Sequence, residues 1–211
     1  MASRLLAVLL LLCVTGAGLG PGAARAAEPT PSAIVERLNA VLIEVMRGAE
    51  ALGFQGRYAR LAPVLTATFN FPWMARISAG RHWRALDAAT RGRFVEAFGK
   101  VSIATYAARF DGYDGERFEV LGAAPARRKT VLVRNNLVRS DGETVAIDYL
   151  LKASKGRWRA VDVFLEGKYS ELALKRSEYG SVIKNHGVEV LIRRLDEKAA
   201  KLAAENYTKE R

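Results

Sequence analysis

The chain is poor in the residues that most often carry chemistry. It has one cysteine, Cys13, and two histidines, His82 and His186, in 211 residues. Cys13 lies within an N-terminal apolar run, with Leu12 before it where a lipidation site needs a small residue. Beyond that run there is no thiol, which excludes disulfides, zinc–thiolate centres and cysteine catalysis from the rest of the chain. No His-x-x-x-His or Glu-x-x-His pair occurs, so a metal site of the usual spacing is missing. There is no glycine-rich phosphate loop and no Gly-x-Ser-x-Gly elbow. Acid is also scarce: 22 Asp and Glu stand against 33 Lys and Arg, a net charge of +11. Only Leu5 to Val14 forms a long unbroken apolar run, and it is too short to span a bilayer, which takes roughly 20 residues.

What is present begins with that run. Arg4 precedes it, glycines loosen the chain after it, and Ala24-Arg25-Ala26 closes the segment. This is the pattern of a secretory signal, residues 1–26, with cleavage before Ala27. The expected mature protein, residues 27–211, is exported to a cell envelope or the extracellular space and carries a charge of +9, because Arg4 and Arg25 leave with the signal. An exported basic protein meets anionic lipid more readily than nucleic acid. The basic cluster Arg127-Arg128-Lys129 is a candidate docking surface or, equally, a solvated face.

The mature part reads as one domain. Ile34, Leu38, Val41, Leu42 and Val45 recur at helical spacing behind a cap at Ser32, and Gly53 marks a break. A second helix follows over about Gly56 to Thr66. Then comes the aromatic segment Phe69-Asn70-Phe71-Pro72-Trp73, with Pro72 in the first turn of a new helix. A long helix opens at Asp87 or Thr90 and reaches about Phe110. The period then changes: Arg117 to Leu121, Lys129 to Val138, Glu143 to Lys152 and Arg157 to Leu165 read as strands, with turns at Ser140-Asp141-Gly142 and Ser154-Lys155-Gly156. Helices return from about Ser170 to a cap at Gly187, then from Val188 into a charged, helical C-terminal tail. The order predicts an α+β fold in which an antiparallel four-stranded curved sheet is wrapped by helices and encloses an apolar cavity.

Two aspartates, Asp148 and Asp162, are candidates for acid–base chemistry in such a cavity. Asp148 neighbours Tyr149 on a strand, so it faces outward if Tyr149 faces inward. Asp162 is on the strand that closes the sheet. Its expected role is a buried carboxylate tying the sheet to a helix or loop, with Arg176 a candidate partner. An enzyme on an apolar substrate needs Asp162 in the cavity. A non-carrying adaptor between envelope complexes needs a filled core. The many aromatic residues favour a ligand-holding space instead. The expected lining is Phe98, Val101, Tyr106, Phe110, Val133, Val145, Ile147, Tyr149 and Phe164.

The chain resembles the MlaC family of periplasmic lipid-binding proteins, also known as the toluene-tolerance or auxiliary-transport family. The resemblance is carried by Phe69-x-Phe71, Trp73-Met74-Ala75, Gly80, Trp83, Thr105-Tyr106-Ala107, and Trp158 through Val163 followed by Glu166-Gly167, Ser170, Arg176 and Tyr179. The stretch Gly167-Lys168-Tyr169-Ser170 is one residue longer than the family's Gly-x-Ser. The wording from Ser170 to Tyr179 is similar to the hopanoid-associated HpnM branch. The resemblance implies a shuttle without cofactor or catalysis. It would carry an apolar lipid, a phospholipid or a hopanoid, between an inner-membrane ABC transporter complex and an outer-membrane complex, touching membranes transiently.

Overall fold

The computed structural model describes residues 28–154 and 156–209. The expected signal peptide lies outside the described residues. Four helices come first: α1 (Pro31–Arg47), α2 (Ala49–Thr68), α3 (Phe71–Ala79) and α4 (Ala88–Arg109), with a 3-10 turn at Gly80–Ala85 before α4. An antiparallel sheet in sequence order follows, β1 (Arg117–Ala126), β2 (Thr130–Val138), β3 (Thr144–Ser154), β4 (Arg157–Leu165) and β5 (Tyr169–Ser170). Two helices complete the chain, α5 (Glu171–His186) and α6 (Val188–Lys209). No described helix is long and apolar enough to cross a membrane.

The fold is α+β as expected, with one more strand than the sequence suggested. The added strand, β5, is the two-residue segment Tyr169–Ser170. Glu166 and Gly167 take φ of 53° and 64°, a tight turn that returns Tyr169 and Ser170 onto β4. The helix ends follow their signals. Asp87 Oδ1 accepts the Thr90 N–H at 2.9 Å and opens α4, and Gly187, at φ 85°, closes α5. Gly53 breaks helical geometry at φ 56° but lies inside α2, which begins four residues before it at Ala49.

Register decides what the sheet presents to the helices. The turn at residues 139–143 sets Val138 opposite Thr144, which places Leu137 opposite Val145 and Val133 opposite Tyr149 on one face. Between Val133 and Asn136 the ladder lapses, and the Asn135 N–H is taken by Asp148 Oδ1 at 3.0 Å. In β4 a bulge at Val161 shifts the register: Ser154 pairs with Arg157 and Leu151 with Ala160, but Leu150 pairs with Asp162. Val163 and Leu165 therefore lie on the inner face beside Tyr149 and Ile147, while Asp162 and Phe164 fall on the outer side.

Polar ties fix the helices to one another and to the sheet. The Asn70 N–H donates to Ala160 O at 2.8 Å, joining the α2–α3 corner to β4. Asn39 of α1 donates to Asn135 of β2 at 2.7 Å. Arg57 is wholly buried in α2 and donates to Ala107 O near the end of α4 (2.9 Å), to Ala49 O (3.1 Å) and to Asn206 Oδ1 of α6 (3.1 Å).

Asp162 is the tie for α5, and its partner differs from the expected Arg176. It accepts the Leu172 N–H (3.0 Å), the Val163 N–H (2.8 Å) and the Ser170 hydroxyl (2.6 Å), while Ser170 Oγ caps the helix by accepting the Ala173 N–H at 2.9 Å. Arg176 instead lies beside Gly80, its Nε 3.6 Å from where a Cβ on that glycine would stand. Burial raises the Asp162 carboxyl above its ordinary value, although the bonds from Ser170, Leu172 and Val163 pull it down. An amide can accept the same N–H groups and donate to Ser170 Oγ. Asp162→Asn should therefore fold and melt close to wild type, whereas Asp162→Ala should lose roughly 1–3 kcal/mol by leaving those donors unpaired. Urea unfolding of the two variants checks this.

Candidate functional site

The inner sheet face does not meet the helices along its whole length. Between them lies an open cavity of about 490 Å³. The α2–α3 corner supplies Leu65, Phe69, Phe71 and Met74. The stripe Val101, Ser102, Thr105, Tyr106, Arg109 and Phe110 comes from α4. The sheet supplies Leu137, Val145, Ile147, Tyr149, Val163 and Leu165, and the last two helices supply Glu171, Lys175, Tyr179 and Lys198. Polarity is graded across this lining. The floor is apolar and buried, whereas Arg109 and Lys198 are exposed at the rim.

Aromatic rings build the floor. Phe69 lies 5.8 Å from Phe71, 5.9 Å from Tyr106 and 6.2 Å from Tyr149, ring centre to ring centre. Tyr106 continues to Phe110 at 5.6 Å. Phe110 in turn lies 6.2 Å from Phe118, which lines a more open groove between α1 and β1, so the two spaces share a wall. Tyr106 and Tyr149 both stand against the Phe69 ring. Burial pushes Tyr106 up to about 12 and Tyr149 well above its ordinary value.

Of the nine residues expected in the lining, six are there: Val101, Tyr106, Phe110, Val145, Ile147 and Tyr149. Phe98, Val133 and Phe164 are not. Phe98 is one turn before the stripe and is sealed among Phe71, Phe94 and Tyr179, at 6.2, 6.5 and 6.3 Å. Val133 shares the inner face with Tyr149 but is wholly buried, because the cavity ends at the Tyr149 row. Phe164 is turned to the outer side by the Val161 bulge. The sheet residues the sequence reading missed, Leu137, Val163 and Leu165, stand opposite Val145, Tyr149 and Ile147. Leu137 follows from the β2–β3 turn alone. Neither Asp148 nor Asp162 lines the cavity.

A tyrosine whose folded value is raised contributes stability that is complete below the unfolded value near 10. That contribution is lost as pH rises through the folded value, so for Tyr106 the window is pH 10 to about 12. Wild-type stability should fall more steeply across that window than that of Tyr106→Phe, as read by chemical unfolding at stepped pH. Parallel curves would show that Tyr106 ionises equally in both states.

A family model described as MlaC protein matches residues 36–197. Among solved structures, the chain is similar to the phospholipid-binding protein from Ralstonia solanacearum, determined in complex with a phospholipid. The TM-score is 0.70 at 23% identity, over 81% of this chain and 97% of that one. At that identity the likeness is one of fold. No curated protein matches the chain. The match to the family model spans most of the chain, including the helices and strands that line the cavity, and the protein belongs to the MlaC family.

Proposed function

We propose that this protein is a periplasmic lipid carrier. It takes an apolar lipid, a phospholipid or a hopanoid, into the cavity and moves it between inner-membrane and outer-membrane complexes. The observation that carries this is the cavity itself, an aromatic and aliphatic space closed at the floor and open at a charged rim, in a chain of the MlaC family. Burying each methylene contributes about 0.8 kcal/mol, so chains of ordinary length bind firmly without a dedicated polar contact. Val101, Tyr106, Phe110, Val145, Ile147 and Tyr149 are the proposed chain-binding residues. The phospholipid held by the Ralstonia solanacearum protein supports the same ligand class. The export signal supports the periplasm as its place of work.

Transfer also needs a docking face. Arg127, Arg128 and Lys129 are exposed on the β1–β2 turn, and Arg128 and Lys129 both hold left-handed backbone, at φ 59° and 57°. That conformation is unfavourable for side-chain-bearing residues. It places two cations at the tip, where an anionic membrane or an acidic partner complex can meet them.

Mass spectrometry of organic extracts from protein purified out of its own periplasm should find lipid near one per chain. Val145→Trp or Ile147→Trp should fill the cavity, lower the retained lipid at least several-fold and leave the folded circular dichroism spectrum intact. Wild type free of lipid, or transport unchanged in a folded Trp variant, would favour an adaptor over a carrier.

A further inference from the structure

Between Glu50 and Asp87 the chain has no acidic residue, and before Lys100 it has no lysine. The fixed positive charge of this stretch is therefore all arginine. Arg57 is buried and Arg60 is bound to Glu44, which leaves Arg76 near the end of α3 and Arg81 and Arg84 in the 3-10 turn. These three are exposed. Helix α5 packs against α3 and the turn, and it adds the exposed Arg176 beside Gly80. Among the described residues, none of these four side chains has a hydrogen bond or an ion pair. Glu178, two residues past Arg176, is about 200° further round α5.

The charges next to this face are answered inside the protein. Asp87 follows the turn, and both its oxygens are taken by Thr90, at 2.9 Å each. Arg93 bonds Glu189 at 2.7 Å. Arg91 folds back: its guanidinium lies 5.5 Å from the Trp83 ring centre and donates to Trp83 O and Arg84 O at 3.3 and 3.2 Å. It braces the turn that carries Arg81 and Arg84. The face itself takes no part in the cavity. None of the four arginines lines it, and from the turn the rings run Trp83 to Phe94 to Tyr179, 6.4 Å apart at each step, before one reaches the lining. A surface that drew lipid straight from a bilayer would adjoin the lining. Trp73, one turn before Arg76, and Trp83 are half-buried. Tryptophan and arginine are the side chains enriched at protein interfaces, and a guanidinium fork matches a carboxylate, whereas anionic lipid attracts lysine and arginine alike.

We propose that Arg76, Arg81, Arg84 and Arg176 form a docking face for a protein partner with a carboxylate-rich surface. The mutual repulsion of these cations is relieved when the partner's carboxylates meet them. An occupant of this face leaves the cavity lining uncovered, so docking is separable from cargo and does not depend on the carrier reading.

The probe is a fluorescein-labelled peptide of alternating glutamate and alanine, its binding followed by fluorescence anisotropy. Salt is held at the physiological level, where charges more than about 8 Å away are largely screened. Arg81→Ala/Arg84→Ala/Arg176→Ala should weaken the peptide about tenfold or more, the effect of removing close interfacial charge partners. Arg127→Ala/Arg128→Ala/Lys129→Ala removes the same formal charge from the β1–β2 turn and should stay within about twofold of wild type. Flotation with vesicles of phosphatidylglycerol and phosphatidylcholine should not separate the face variant from wild type, and the lipid it retains after purification should be unchanged. Wild type that fails to bind the peptide, or equal weakening in the two triple variants, overturns the face, the second by showing that binding follows net charge. A face variant that loses vesicles and keeps the peptide also overturns it, by making this surface a membrane contact. A face variant that retains less lipid than wild type overturns the separation of docking from cargo.

Discussion

An apolar space has to be held open against the tendency of its walls to close. The walls stand apart because directional bonds, not apolar contacts alone, fix them. Asn70 sets the α2–α3 corner against β4, Asp162 fixes the start of α5, and Arg57 binds α2, α4 and α6 into one unit. Each bond ends on a backbone group or a buried amide, so sliding the helices inward would leave a buried polar atom unpaired.

The bulge at Val161 has as much influence as these ties. Continued from Ser154 opposite Arg157 without interruption, the β3–β4 register would set Asp162 opposite Tyr149, and a carboxylate would enter the cavity. One extra residue turns Asp162 out to the N-terminus of α5 and puts Val163 in its place. The same insertion thus keeps the floor apolar and provides the tie that holds α5 in position as a wall. This register keeps the Asp162 carboxylate out of the cavity lining.

Most of the architecture was legible in the sequence because its signals are local. Helix starts at Asp87 and Ser170, the stop at Gly187 and the alternation from Val145 to Leu151 each involve a few adjacent residues. The α4 lining followed from the 3.6-residue period, and Leu137 was within reach of hairpin counting. The inner residues of β4 were not. A bulge leaves no mark in Arg157-Trp-Arg-Ala-Val-Asp-Val-Phe-Leu165, since Val161 and Val163 are alike, so parity counted from the turn selects Phe164 and Asp162. Phe98 was misplaced for another reason. It continues the cavity stripe along α4, and only the three-dimensional arrangement of Phe71, Phe94 and Tyr179 shows where the space ends.

The polar atoms in the lining bear on what the cavity selects. Ser102 Oγ and Thr105 Oγ1 both line it, yet each donates back into α4, to Phe98 O and Val101 O at 2.7 Å. These donors are answered within the protein, so the floor asks little of a ligand beyond shape and apolar surface. A hydrocarbon chain then loses nothing by offering no hydrogen bonds, and chains differing in length or unsaturation are separated only by the few methylenes they bury. Sharper discrimination has to come from outside the apolar floor.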